Sequence, residues 1–155
     1  MSPTTQRRGT KPLWTCPKCR HRFVTRNLSH SCVNVPLAKH FVGKDPVVRQ
    51  TFNAWRQLAR DCGPVTIYAQ KSRIVFMVRV RFAGAMVHRT WVEGTLWLKR
   101  RVSHARVHRI MDYGSLGFGL HLKLTSPEQI DASLARLMRE AYRIGCQQPD
   151  AIHEP

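Results

Sequence analysis

The stretch that decides the fold is Thr90-Trp-Val-Glu-Gly-Thr-Leu-Trp-Leu-Lys-Arg100, in which two kinds of side chain alternate. Successive side chains of an extended strand point to opposite faces, so a period of two separates these residues into two sets. The apolar face carries Val92, Leu96 and Leu98, and the opposite face carries Trp91, Glu93, Trp97 and Lys99. The stretch therefore predicts a strand with one face in the core.

Similar alternation predicts strands in three further segments, which are residues 65–70, 73–82 and 117–125. The second of these places Ile74, Phe76, Val78, Val80 and Phe82 on one face and Arg79 and Arg81 on the other. The third alternates Leu120, Leu122 and Leu124 with His121 and Lys123. Residues 103–113 are compatible with either a short helix or a strand.

Helical patterns flank these strands. Asp45-Pro46 is a typical helix start, and an apolar stripe from Val48 to Cys62 follows it before Gly63-Pro64 ends the helix. A second stripe runs from Ile130 to Ile144, with either Ser126 or Asp131 as its N-cap. Consecutive strands between two helices predict an α+β fold, with an antiparallel sheet of about four strands and the helices on one face.

A cluster of metal-ligand residues precedes this domain. Cys16-Pro17-Lys18-Cys19 is followed by His30-Ser31-Cys32, and Cys16, Cys19, His30 and Cys32 have the residue types of a tetrahedral structural zinc site. His21 and His40 are alternative fourth ligands. A redox C-x-x-C is the competing interpretation, but the βαβ pattern that accompanies such motifs is missing from the sequence.

Charge is the second unusual property of the chain. Its 155 residues contain 26 Lys and Arg but only nine Asp and Glu, which gives a formal net charge of +17. Polyanions are the usual partners of so cationic a protein, although GC-rich coding also enriches Arg. We predict a disordered basic arm over 1–12, a zinc-binding module over 13–36, the α+β domain over 37–145 and a flexible tail over 146–155.

The sequence predicts a cytoplasmic protein. It has no signal peptide pattern and no stretch apolar enough to cross a membrane, so we expect no membrane association. In a reducing compartment, five cysteines are better explained by metal ligation or burial than by disulfides.

Several segments resemble a bacterial family catalogued as domain of unknown function 5655 (DUF5655). The resemblance lies in Leu13 to Phe23 with His30-Ser31-Cys32, in the stretch LAKHFVGK (37–44), in Gln70 to Ile74, and in Leu124 to Tyr142. Members usually have Gly after the second cysteine, where this chain has Arg20. The resemblance implies a zinc-finger-like N-terminus on an α+β domain, and it implies no activity.

Nucleic acid, either DNA or RNA, is the partner that the sequence favours. Aromatic and basic side chains on one sheet face can stack bases and neutralise phosphates, and the N-terminal region adds cations without any carboxylate. The candidate residues are Arg7, Arg8, Lys11, Lys18, Arg20, Arg22, Arg26, Arg79, Arg81, Trp91, Trp97, Lys99 and Lys123. Packing of the two tryptophans inside the protein is the opposing interpretation.

Two other functions remain open on the sequence alone. A ligand-binding or catalytic domain would use the same polar face, with Glu93 and His121 as its polar groups and the zinc module as a lid. A protein-interaction adaptor would use the zinc module to dock a protein partner. Whether the protein is an enzyme is uncertain, because the sequence contains no clustered carboxylates or phosphate-binding loop from which to name a catalytic residue.

Overall fold

A six-stranded antiparallel sheet forms the centre of the protein. The computed structural model describes residues 12–28, 30, 32 and 35–148. Within them a two-stranded sheet of β1 (Trp14–Thr15) and β2 (Arg22–Phe23) precedes helix α1 (Pro46–Cys62). The larger sheet has the order β3-β4-β5-β6-β8-β7. Its strands are β3 (Thr66–Ala69), β4 (Ile74–Met77), β5 (Arg81–Val87), β6 (Val92–Leu98), β7 (Val107–Asp112) and β8 (Phe118–Leu124), and helix α2 (Ala132–Gly145) follows them.

The predicted mixture of helices and antiparallel strands is confirmed, but the prediction of about four strands is wrong. The segment 73–82 is not one strand, because the amide groups of Arg79 and Val80 donate to the carbonyl of Gly145 and the chain turns between β4 and β5. Val78, Arg79 and Val80 therefore lie in a turn rather than on alternating faces. The ambiguous segment 103–113 contributes β7, which raises the number of strands in this sheet to six.

Both helices begin at residues that the sequence predicted as N-caps. Asp45 is the N-cap of α1, with Pro46 in its first turn. Asp131, rather than Ser126, caps α2, and its carboxylate accepts a hydrogen bond from the backbone N–H of Leu134 at 3.1 Å. Such a cap satisfies one of the donors that the first helical turn leaves without a partner.

One face of the sheet carries the main core. Phe52 and Trp55 of α1 and Met138 of α2 are fully buried in one cluster with Leu96 and Leu120 of the sheet. Strand register puts Glu93, Thr95 and Trp97 of β6 on the opposite face, which we call the outer face. The helices therefore leave the outer face to other elements.

The N-terminal module covers one end of the outer face. Cys16, Cys19 and Phe23 form a second buried cluster with Val75 and Met77 of β4. These apolar contacts hold the module against β4. The remaining strands of the outer face lie to one side of the module. No helix among the described residues has both the length and the apolar character needed to cross a bilayer.

Candidate metal centre and adjoining groove

Four soft ligands converge in the N-terminal module. The ligand atoms of Cys16, Cys19, His30 and Cys32 all lie within 4.8 Å of one another. The Cys16 and Cys32 sulfurs are 3.7 Å apart, and His30 Nε2 lies 3.2 Å from the Cys19 sulfur and 3.4 Å from that of Cys32. None of the five cysteines forms a disulfide. The group can hold a metal ion, as the sequence predicted.

A tight turn between β1 and β2 brings the first two thiols together. The backbone N–H of Arg20 donates to the Cys16 carbonyl at 2.8 Å, and that of Cys16 donates to the His21 carbonyl at 2.9 Å. Arg20 has a φ of 64°, which is a left-handed conformation that glycine adopts more readily than arginine. The turn therefore forms despite the side chain at position 20.

His30 is oriented as a ligand by its own backbone. Its Nδ1 donates to the Leu28 carbonyl at 2.6 Å, which leaves the Nε2 lone pair directed at the sulfurs. The two alternative histidines make other contacts. His21 packs on the ring of Tyr68 with centroids 4.1 Å apart, and His40 Nε2 bonds to the Gln70 carbonyl at 2.7 Å.

The thiols differ in their readiness to ionise. Backbone N–H donation from Cys19, together with that from Lys18, lowers the pKa of Cys16 to about 6. Burial, and next the hydrogen bonds with the neighbouring thiols, raise the pKa of Cys32 to about 11. The site therefore stabilises the Cys16 thiolate by itself, and a bound cation would also stabilise the thiolate of Cys32.

A half-enclosed groove of about 900 Å³ lies between the module and the outer face of the sheet. Phe23, Val24 and Leu28 of the module form one side. Small residues, including Thr95 and Gly119, lie in the floor, and the two are near neighbours on adjacent strands. The volume falls within the range of about 300–1,000 Å³ that is usual for ligand-binding clefts.

Two stacked aromatic rings form another part of the groove wall. Trp97 of β6 and Tyr113 lie with centroids 5.0 Å apart and planes inclined by 27°. Trp97 is half-buried and Tyr113 is exposed. A flat ligand entering the groove meets an aromatic surface that is already held in place.

The groove is lined by cations and by no described carboxylate. Arg73, Arg79, Arg81 and Lys99 all line it, whereas none of its described lining residues is Asp or Glu. Arg81 Nε donates to the Tyr68 hydroxyl at 3.1 Å, and Lys99 Nζ donates to the Leu116 carbonyl at 3.1 Å. These two bonds hold Arg81 and Lys99 at the groove.

The other predicted nucleic-acid residues fall into three groups. Exposed cations of the module are Lys18, Arg20, Arg22 and Arg26. Trp91 and Lys123 are not among the described residues lining the groove, and they contact each other, with Lys123 Nζ over the Trp91 ring at 5.2 Å and His88 stacked on that ring at 4.0 Å. Arg7, Arg8 and Lys11 lie outside the described residues.

A buried carboxylate, Glu93, contacts two histidines, and one of them, His121, lines the groove. Glu93 Oε1 accepts a hydrogen bond from His108 Nε2 at 2.8 Å, and Glu93 Oε2 lies 3.6 Å from His121 Nδ1. The alternation of side chains along the strands predicted that Glu93 and His121 lie on one face, but it did not predict the contribution of His108. His108 lies at a bulge in β7, between Val107 and Arg109. The alternation pattern of the sequence does not indicate this bulge.

Comparison with known proteins places the chain in a family but assigns no function. No curated protein and no solved structure matches the chain significantly. A family model described as a domain of unknown function matches residues 37–145, which is the α+β domain without the cysteine module. The chain therefore belongs to the DUF5655 family.

Proposed function

We propose that this protein binds single-stranded nucleic acid in the groove between its metal-binding module and the outer face of the sheet. The observation that carries the proposal is the combination of the Trp97–Tyr113 stack with a lining that holds four cations and no described carboxylate. Unpaired bases stack on aromatic side chains, and phosphates bind nearby cations. A duplex keeps its bases inside the helix and would use only the cations.

The module extends the cationic surface beyond the groove. Its side chains Lys18, Arg20, Arg22 and Arg26 are exposed, and the net charge of the whole chain is +17. A strand that leaves the groove would therefore meet further phosphate-binding groups on the module. This arrangement gives the module a direct role in binding in addition to its role as a wall.

Zinc is the metal that we propose for the cysteine–histidine site. Two thiolates at the usual zinc–sulfur distance of about 2.3 Å from a tetrahedral ion lie about 3.8 Å apart, and the Cys16 and Cys32 sulfurs are 3.7 Å apart. Four protein ligands leave no position for substrate, so this zinc would be structural. Elemental analysis of the reduced protein should give one zinc per chain, and its absence would contradict this assignment. Free thiols at such a site also favour a cytoplasmic location.

The binding test compares the two predicted tryptophans. In fluorescence anisotropy with labelled single strands, Trp97→Ala should weaken binding about 5- to 150-fold, because stacking contributes about 1–3 kcal/mol per base. Trp91→Ala is the matched control, since Trp91 lies outside the groove, and it should change affinity by less than about twofold. If four cations contact phosphates, raising salt from about 50 to about 200 mM should weaken binding about 50-fold.

Equal losses in the two tryptophan variants, or no binding of either RNA or DNA, would contradict the proposal. A second candidate function, binding of a small anionic ligand with an apolar body, is favoured by the apolar wall of Phe23, Val24 and Leu28. Titration with an anionic naphthalene dye distinguishes the two. Trp97-dependent binding of the dye, without binding of any oligonucleotide, would favour the second candidate.

A further inference from the structure

The buried carboxylate of Glu93 determines how His121 is presented to the groove. The Glu93 side chain is 7% exposed and that of His121 is 15% exposed. The Nδ1 atom of His121 is fully buried, has no hydrogen-bond partner among the described residues, and has the Glu93 Oε2 oxygen 3.6 Å away. A proton on Nδ1 is therefore favoured, and Nε2 keeps its lone pair.

The second ring nitrogen of His121 is directed along the sheet into the groove. Nε2 lies 3.9 Å from the position that a Cβ on Gly119 would occupy, and both residues line the groove. Gly119 pairs with Trp97 across the strands and lies beside the ring of Tyr113. A nucleotide stacked on the Trp97–Tyr113 wall would therefore lie next to this nitrogen.

The surroundings of His121 keep its ring neutral. Burial lowers the pKa of His121, Glu93 opposes that change, and Arg109 and His108 lower the pKa further. Lys123 pairs with Glu93 across the strands and adds another positive charge to this part of the outer face. A neutral imidazole held by a carboxylate has the properties of a general base at neutral pH.

Two more side chains, a cation and a second imidazole, lie beside the Glu93–His121 pair. Arg109 is exposed and is the cross-strand partner of His121, so its guanidinium is placed to bind a phosphate near the ring. The ring of His108 is centred 6.5 Å from that of His121. When protonated, His108 carries its second proton on Nδ1, because Nε2 donates to Glu93.

From this geometry we infer that the protein cleaves RNA, with His121 as the base, Glu93 as its positioning residue, Arg109 as the phosphate ligand and His108 as the acid. The inference rests on the proposed binding of nucleic acid in the groove. His121 Nε2 takes the proton of a ribose 2′-hydroxyl while that oxygen forms a bond to phosphorus. The bond from phosphorus to the 5′ oxygen breaks, and protonated His108 supplies the proton to this leaving oxygen. The products are a 2′,3′-cyclic phosphate and a free 5′-hydroxyl, so no co-reactant is needed.

The substrate distinguishes this reaction from other nuclease chemistry. DNA has no 2′-hydroxyl, so it should bind without being cut. An RNA strand with a single 2′-deoxy nucleotide should resist cleavage at that position only. Mass spectrometry of products from the metal-loaded wild-type protein tests both points, and a cyclic phosphate end is the expected signature.

Variants test the roles of the side chains. His121→Asn should lower the single-turnover rate about 10²- to 10⁴-fold, which is the usual contribution of a general base, while affinity for the same RNA should fall by a much smaller factor. Glu93→Gln should also lower the rate. It should move the acid limb of the pH–rate profile to lower pH as well, because Glu93 raises the pKa of His121. The matched control is His88→Asn, which removes an imidazole that stacks on Trp91 and should leave the rate unchanged.

The outcomes separate this inference from the proposed function. Binding of RNA without cleavage overturns the inference and leaves the binding function intact, whereas absence of both overturns both. Cleavage that persists in His121→Asn, or at a 2′-deoxy position in wild-type protein, also overturns it. The 2′-deoxy substrate keeps the test decisive even where a variant fails to fold.

Discussion

His21 packs against Tyr68 with ring centroids 4.1 Å apart and planes inclined by 34°, and this contact joins the metal-binding module to the sheet. Tyr68 also accepts a hydrogen bond from Arg81, which lines the groove. The module, the outer face and a groove cation are therefore connected through one tyrosine. Loss of the metal should consequently affect the groove as well as the module.

Removing the metal should unfold the module and leave the α+β domain folded. The main core lies between the helices and the sheet, whereas Cys16, Cys19 and Phe23 belong to a separate cluster. A strong chelator, or Cys32→Ser, should abolish one calorimetric transition and keep the transition of the domain. Oligonucleotide affinity should fall but persist, because Arg79, Arg81 and Lys99 belong to the domain.

Cys62→Ser is the matched control for this experiment, since Cys62 lies in α1, is not one of the four clustered ligands, and has a thiol that bonds to the Leu58 carbonyl. It should retain one metal ion per chain. A chelator that unfolds the whole chain in a single transition would show that module and domain are not separable.

Arg20→Gly should stabilise the metal-loaded module. Arg20 adopts a left-handed φ of 64°, which costs an arginine about 1 kcal/mol and costs glycine little. We expect the transition of the module to move to higher temperature in calorimetry. Arg20→Ala removes the same charge without relieving the backbone, so a similar gain in both variants would refute the conformational explanation.

The strand and helix patterns could be predicted because each leaves a regular sign in the sequence. Val92, Leu96 and Leu98 alternate, and the Asp45-Pro46 start is local to its helix. The strand count could not be predicted, since Ala83, Gly84 and Ala85 of β5 lack large apolar side chains. The turn at Arg79 depends on the carbonyl of Gly145, which is remote in sequence.

The candidate site was predictable to a similar extent. Ligand spacing in Cys16-Pro17-Lys18-Cys19 is a local property, and the four ligands do converge. Side-chain alternation predicted that both Trp91 and Trp97 lie on the outer face. Only the tertiary contacts show that Trp97 lines the groove whereas Trp91 stacks with His88. The contact of His108 with Glu93 depends on a bulge, and alternation alone predicts no bulge.

Stability should decline as pH falls below about 6.5, the ordinary pKa of histidine. Burial lowers the pKa of His121 in the folded state, so on acidification the unfolded chain takes up this proton before the folded one does. One such group changes the free energy of unfolding by at most about 1.4 kcal/mol per pH unit, until the pH reaches the folded pKa. His121→Asn should have a shallower acid slope in chemical denaturation than wild type, and equal slopes would contradict this explanation.

Photocrosslinking with mass spectrometry tests the central claim, binding in the groove, most directly. A single-stranded RNA containing a photoreactive uridine should crosslink to the peptides that contain Trp97 and Tyr113, because these rings form the groove wall. In Trp97→Ala the crosslink at position 97 should disappear, and the crosslink at Tyr113 should persist. Crosslinks confined to Trp91 or to module residues outside the groove, such as Lys18 and Arg20, with none at the residues that line the groove, would contradict the account.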